Sequence, residues 1–295
     1  MTTLNGKEIQ MYRKDGFVII PGAMEIADLL PMRKVLESVV ERAAHRVHQQ
    51  GMIGSLHEGL SFETRFPMIS QECGSNTGVA WEHEVFTREL YELATHPAII
   101  DRLKPLLGEQ ILFNGDFHIR PKLPGSDYFP WHQDSQYYGK PTEAMHIITV
   151  WIPFVDVDET NGCLAMLPGS QTWGLMEGAR DEKREMRSFV DPESRGTSVT
   201  VPMKAGDAVI FHNLTYHQSL PNRSNGARWS IDLRYSAKPH EKMEKAEKEG
   251  YRVFMDKLRS LGYLTFVASG PNRTPWQEVE RLYRELRGGL SVNEK

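Results

Sequence analysis

A mainly β fold, an antiparallel sandwich or barrel with helices packed around it, is predicted by three features of the sequence. After Gly108 the chain breaks into short apolar runs separated by turn residues: Ile111 to Ile119, Met145 to Pro153, Cys163 to Leu167, Thr197 to Pro202, Ala208 to His212 and Trp229 to Tyr235. Such spacing belongs to sandwiches and barrels rather than to alternating strand and helix units. Before Gly108 the apolar spacing is helical, and no internal repeat or convincing linker divides the chain. The expectation is one domain over 1–295: a helical N-terminal region over residues 1–107, a β core over about 108–238 and C-terminal helices 239–295.

The elements follow in order. Residues 6–16 read as a short polar helix, and Phe17-Val-Ile-Ile before Pro21-Gly22 reads as a strand stopped by a turn. Ile26, Leu29, Leu30, Val35, Leu36, Val39 and Val40 recur at helical spacing, with basic residues late in the segment. From Gly51 to about Glu84 periodicity fades and Gly, Ser, Asn and Thr become frequent, predicting a long loop. Phe86 to Leu107 is helical again, interrupted at His96-Pro97. Within the strand region a charged stretch runs from Glu177 to Arg195, and helical stretches near 239–261 and 275–286 close the chain. Trp276, Val279, Leu282, Tyr283 and Leu286 form a packing stripe on the last of these.

Composition removes several function classes. With 295 residues, 40% hydrophobic and 25% charged, the chain can bury a sizeable core, which excludes disorder over most of its length. Thirty-five Lys plus Arg against 39 Asp plus Glu leave a net charge of −4, so no nucleic-acid partner is expected. Cys73 and Cys163 are the sole cysteines, which excludes a disulfide framework and four-cysteine zinc and suits a reducing, cytoplasmic compartment. No basic segment followed by an apolar run opens the sequence, and no apolar stretch approaches about 18 residues, so neither a secretory signal nor a membrane association is expected.

The chemistry concentrates in Tyr128-Phe-Pro-Trp-His132-Gln-Asp134-Ser-Gln-Tyr-Tyr138. If this segment is extended, His132 and Asp134 project from one face and can converge on one ion. A third ligand would come from Ala205-Gly-Asp-Ala-Val-Ile-Phe-His212-Asn-Leu-Thr-Tyr-His217-Gln-Ser219, where two histidines compete. Two His and one carboxylate with open positions form the facial triad of non-haem Fe(II) oxygenases. Closed structural zinc would need a fourth ligand, for which there is no candidate. Arg228, eleven residues beyond His217, could grip a distal carboxylate through two parallel hydrogen bonds, or could be an ordinary salt-bridging surface residue.

In combination these motifs make the chain resemble the phytanoyl-CoA dioxygenase family of Fe(II)- and 2-oxoglutarate-dependent oxygenases. The resemblance runs from Asp15-Gly-Phe-Val-Ile-Ile-Pro-Gly22 to Tyr235, through Trp131-His-Gln-Asp134, Asn161-Gly-Cys-Leu-Ala-Met-Leu-Pro-Gly-Ser170 and Ala205 to His217. It implies a double-stranded β-helix, a cupin-like jelly-roll barrel, with His132, Asp134 and His217 as iron ligands and His212 structural. It further implies that Arg228 and Ser219 anchor 2-oxoglutarate, with O2 as the second cosubstrate. Trp151 matches a position lining the cosubstrate pocket in relatives, although within Val150-Trp-Ile it reads equally as core. The implied reaction converts 2-oxoglutarate to succinate and CO2 while hydroxylating a C–H bond of a small-molecule substrate. Asp134 favours hydroxylation over halogenation, because related halogenases carry a small residue there.

Two other classes remain. A cupin-like isomerase or hydrolase could use the triad without an oxo acid, leaving Arg228 and Ser219 without a shared task. A jelly-roll binding module would need no triad at all. Tyr137 and Tyr138 read as rim packing or substrate contacts. Residues 51–84 and 177–195 are expected to cover the barrel mouth and choose the substrate. Arg180, Lys183, Arg184, Arg187 and Arg195 are offset in the second stretch by Glu177, Asp181, Glu182, Glu185, Asp191 and Glu193, which disfavours a polyphosphate clamp for CoA.

Overall fold

A computed structural model describes residues 3–290 apart from 120 and 184. The helical N-terminal region comprises α1 (Gly6–Asp15), β1 (Phe17–Ile20), α2 (Ile26–Gln49), α3 (Phe62–Glu72), α4 (Trp81–Glu84), α5 (Arg88–Ala94) and α6 (Pro97–Leu107). The strand region comprises β2 (Ile111–Ile119), β3 (Phe129–His132), β4 (Ile147–Pro153), β5 (Leu164–Met166), β6 (Gly178–Arg180), β7 (Met186–Ser188), β8 (Val199–Val201), β9 (Ala208–His212), β10 (His217–Ser219) and β11 (Ser230–Ala237). The chain closes with α7 (Lys245–Ser260), β12 (Phe266–Val267) and α8 (Trp276–Leu290).

Local chemistry sets the helix ends. Asn5 accepts from the backbone N–H groups of Lys7 and Glu8, while Glu8 accepts from the Asn5 N–H, a reciprocal cap for α1. Gly16 ends the helix at φ 81°, and a Cβ there would strike the side chains of Gln171 and Thr215. His96 caps α6 by accepting from the Ala98 N–H at 3.3 Å with Pro97 as the first helical residue, which accounts for the break between α5 and α6. On α2 the buried stripe is Leu29, Met32, Leu36, Val39, Val40, Ala43, Ala44 and Val47, whereas Ile26 and Leu30 stay exposed.

Residues 51–84 are not the structureless loop their composition predicts, because they contain α3 and α4. Phe62, Phe66 and Ile69 have helical spacing and are buried, but Pro67 and the surrounding polar residues mask the pattern. The charged stretch likewise contains the hairpin β6–β7.

Two antiparallel sheets face each other, one ordered β1-β9-β4-β11-β2-β12 and the other β3-β10-β5-β8, forming a double-stranded β-helix. The N-terminal helices cover the outer face of the larger sheet, and one core cluster runs from Leu4 through Phe113 and Trp229 to Val279. Trp229 is fully buried beside Phe62 (ring centroids 4.8 Å), Trp81 (5.4 Å) and Phe66 (5.8 Å), and its Nε1 donates to the Phe62 carbonyl at 3.1 Å. It pins α3 to the strand that follows Arg228. Trp229→Ala is expected to cost about 3–5 kcal/mol, read as a lower denaturant midpoint.

At the other end of the barrel, Phe254 and Leu258 of α7 pack on Tyr138, Met145 and Ile147. The stripe expected on α8 packs as predicted at Val279, which is buried, and at Tyr283, which stacks on Phe86 with centroids 3.7 Å apart. No described helix is long and apolar enough to cross a membrane, and both cysteines are buried free thiols.

Candidate active site

β3 and β10 pair with His132 directly opposite His217, so the fold brings together two histidines that are 85 positions apart in the chain. The ladder ends at His132, but Gln133 remains extended (φ −108°, ψ 138°), so Asp134 projects to the same side as the two-residue spacing requires. Gln133 is buried and fixes the turn: it donates to the carbonyls of Gly174 (2.9 Å) and Leu214 (2.8 Å) and accepts from the Met176 N–H at 2.8 Å.

Asp134 Oδ1 lies 3.9 Å from His132 Nε2 and 3.8 Å from His217 Nε2. All three side chains are buried, and each offers one potential ligand atom within 4.8 Å of the other two. His132 Nδ1 donates to the Pro130 carbonyl at 2.8 Å and His217 Nδ1 to the Thr215 carbonyl at 3.0 Å. A carbonyl only accepts, so each ring keeps its proton on Nδ1 and turns the Nε2 lone pair inward. Burial, reinforced by His217, pushes His132 down to about 3, so it is neutral at physiological pH. Burial opposes ionisation of Asp134, but the Arg234 guanidinium outweighs it and holds that carboxyl well below the usual range. This donor set, two imidazoles and one carboxylate, suits a divalent transition metal.

His212 lies elsewhere. Phe211 faces His217 with ring centroids 4.5 Å apart, so the next residue of β9 points away, and His212 stacks on His146 at 5.1 Å.

A cavity of about 880 Å³ opens in front of the triad, with Trp151, Ser219 and Arg228 in its wall. Arg228 is 5% exposed, which removes the surface reading, and its guanidinium carbon lies 5.3 Å from the centre of the Trp151 ring. Trp151 is therefore both buried and cavity-lining. Sequence reasoning missed Lys122, whose backbone pairs with Arg228 and whose Nζ donates to Ser219 Oγ at 3.0 Å and to the Asp127 carbonyl at 2.6 Å. Burial and the neighbouring Arg228 push Lys122 down to about 8. Gly162, in the Asn161-Gly162 turn (φ 91°), makes room for the lysine stem, since a Cβ there would meet Lys122 Cδ at 3.0 Å. No spacing rule pointed to this lysine.

The expected mouth segments divide. Arg180, Lys183, Glu185 and Arg187 of the β6–β7 hairpin line the cavity, whereas no residue of 51–84 does, because α3 packs against Trp229 instead. Arg180 sits over Tyr137, 5.3 Å from its ring centre, and the Tyr137 hydroxyl accepts from the Met186 N–H at 3.0 Å. Arg187 is paired with Asp181 at 2.7 Å, and Arg184 lies outside the described residues. Both tyrosines line the cavity: Tyr137 stands beside His132, while Tyr138 is buried and donates its hydroxyl to Asp116.

Comparison with known proteins places this geometry. The phytanoyl-CoA dioxygenase family pattern matches residues 12–230. The chain is 25% identical over 247 residues to the peroxisomal phytanoyl-CoA dioxygenase of Bos taurus, covering 79% of this chain and 68% of the relative. It is 32% identical over 161 residues to the 1-deoxypentalenic acid 11-beta-hydroxylase of Streptomyces exfoliatus, covering 48% of this chain and 55% of the relative. Among solved structures it resembles the non-heme alpha ketoglutarate dependent carbocyclase SnoK from nogalamycin biosynthesis, with a TM-score of 0.54, 22% identity and coverage of 79% and 84%. With the pattern matched over most of its length, this chain belongs to the phytanoyl-CoA dioxygenase family of Fe(II)- and 2-oxoglutarate-dependent oxygenases.

Proposed function

We propose that the protein hydroxylates a C–H bond of a small-molecule metabolite or natural-product intermediate, using Fe(II), 2-oxoglutarate and O2 and releasing succinate and CO2. The observation that carries this reading is the buried triad with both Nε2 lone pairs turned inward, in the same cavity as two cations. His132, Asp134 and His217 would hold the iron. Arg228, Lys122 and Ser219 would hold the distal carboxylate of 2-oxoglutarate, with Trp151 as the wall behind the arginine. When bound, iron and cosubstrate supply the oxidising chemistry, in which 2-oxoglutarate is decarboxylated and one oxygen atom of O2 enters the substrate. The chain contributes geometry: Gln133 fixes the turn carrying Asp134, and the Nδ1 bonds to Pro130 and Thr215 fix both imidazoles. The hairpin β6–β7, tied to Tyr137 and Gln136, covers the mouth and limits water.

A cupin-like isomerase or hydrolase would leave two buried cations and Ser219 without a task, and a binding module would need no triad. The hydroxylase relative named for 1-deoxypentalenic acid and the charge-balanced hairpin both favour a smaller or more apolar substrate over an acyl-CoA. The N-terminal helices, the β core and the C-terminal helices would act as one unit, since one apolar cluster joins the first two to α8 and a second seats α7 on the strand region. Two buried free thiols suit a reducing, cytoplasmic setting.

Anaerobically purified protein is expected to take up about one Fe(II) per chain and to release succinate from 2-oxoglutarate on exposure to O2, faster with an accepted substrate. Screening terpenoid acids, amino-acid derivatives and acyl-CoAs for stimulated succinate release identifies that substrate. Iron-replete protein that consumes no 2-oxoglutarate with any of them defeats the proposal.

A further inference from the structure

Behind the triad lies a buried charge cluster that neither metal nor cosubstrate binding requires on its face. Arg234 of β11 is 5% exposed. Its Nε donates to Asp134 Oδ2 and its Nη2 to Asp134 Oδ1, both at 3.1 Å, a two-point fork on one carboxylate. Nη1 faces Asp116 Oδ1 and Nη2 faces Asp232 Oδ2, each at 3.5 Å. Thr149 donates its hydroxyl to Asp134 Oδ2 at 2.6 Å. Oδ2 therefore carries two donors and Oδ1 one, and Oδ1 is the oxygen facing both Nε2 atoms. A carboxylate held at three points cannot rotate to exchange its oxygens.

The surroundings support the same reading. Asp116, Asp134 and Asp232 surround one guanidinium, and His118 Nε2 lies 3.2 Å from Asp116 Oδ1, so the arginine is fixed among carboxylates from separate chain segments beside the two histidines. Arg228 and Lys122 line the same cavity, where they would meet the distal carboxylate of 2-oxoglutarate.

We propose that Arg234 is a positioning residue for the metal centre: its fork on Asp134 presents Oδ1 as a pre-oriented, single-oxygen ligand. This rests on the reading of His132, Asp134 and His217 as metal ligands. The rival role is plain charge neutralisation of Asp116, and the two differ in what a lysine can replace. A lysine keeps the charge but is a point cation on a flexible stem, so it does not supply the rigid planar fork that fixes both oxygens of Asp134.

The test is anaerobic titration of the full-length apoprotein with Co(II), followed by its visible absorption, and with Fe(II). Arg234→Lys is expected to lose about 10- to 100-fold in affinity for both metals. Asp116→Asn keeps the fork and is expected to stay within about fivefold of wild type, since it touches no ligand. Removing a buried arginine can unfold the chain, so the pair Arg234→Met with Asp116→Asn deletes the fork together with one balancing carboxylate and keeps the net charge. It is expected to show the same 10- to 100-fold loss. Wild-type affinity in either folded fork-less variant overturns the proposal, as does a loss in Asp116→Asn equal to that in Arg234→Lys. Wild-type protein that binds neither metal overturns the ligand reading itself and the proposal with it.

Discussion

His217→Ala is expected to lose both iron and turnover, whereas His212→Ala keeps most of its iron. The two histidines stand five residues apart on consecutive strands that belong to different sheets, and their surroundings are opposite. His217 turns Nε2 toward Asp134 at 3.8 Å and has its other nitrogen fixed by the Thr215 carbonyl. Removing it leaves two ligands, too few for a facial site, so iron should fall from about one per chain to near zero. His212 instead accepts from the Leu214 N–H through Nδ1 at 3.1 Å and stacks on His146, whose Nε2 lies 2.7 Å from the Tyr12 hydroxyl. Burial pushes His212 down to about 3 and His146 to about 4, so both are neutral packing groups. His212→Ala should cost about 1–3 kcal/mol of stability, a typical core loss, without changing metal content. Iron retained in His217→Ala and lost in His212→Ala would reverse the assignment. Metal analysis of both anaerobically purified variants decides it.

The sequence made the triad legible because its information is local and chemical. A two-residue His-Asp spacing holds whether or not the strand continues, and the resemblance chose between the two competing histidines. The strand runs were equally readable wherever one face is apolar, as in Ala208 to His212. What stayed hidden has one physical origin. Arg228, two residues before β11, and Ser230, Asp232 and Arg234 on it alternate and all line the cavity, but a polar face of an antiparallel strand looks the same whether it meets solvent or a barrel interior. Arg234 and its partner Asp116 were thus unreadable as site residues, although the shared parity with Arg228 was a usable signal. Lys122 had no signal, since its role comes from an isolated backbone bridge to Arg228 that no spacing foretells. The β6–β7 hairpin was hidden by charge and α3 by Pro67, because in both the pairing partner, not the local pattern, decides the structure.

Arg228→Ala should raise the 2-oxoglutarate requirement by about thirty- to several-thousand-fold, the equivalent of roughly 2–5 kcal/mol for a buried charge-assisted pair, with iron still bound. The effect is large because Arg228 sits against Trp151 at 5% exposure, where the lost contact is not replaced by water-screened charge. Lys122 sets where in that range the loss falls. Its ammonium is already pushed down to about 8, so below that pH it is charged and shares the dicarboxylate with Arg228. As pH rises through about 8 it becomes neutral, and Arg228 is then the one remaining cation of the pair. The wild-type affinity for 2-oxoglutarate should therefore weaken above pH 8, and the penalty of Arg228→Ala should shrink there, because removing the Arg228 charge lets Lys122 stay protonated to higher pH. Lys122→Met should flatten that pH dependence while leaving the iron content unchanged, since Lys122 donates to Ser219 and the Asp127 carbonyl rather than to the triad. Succinate release measured against 2-oxoglutarate concentration at pH 7 and pH 9 reads all three proteins. An unchanged requirement in Arg228→Ala removes it as the anchor, and a Lys122→Met profile that still bends near pH 8 assigns the titration to another group.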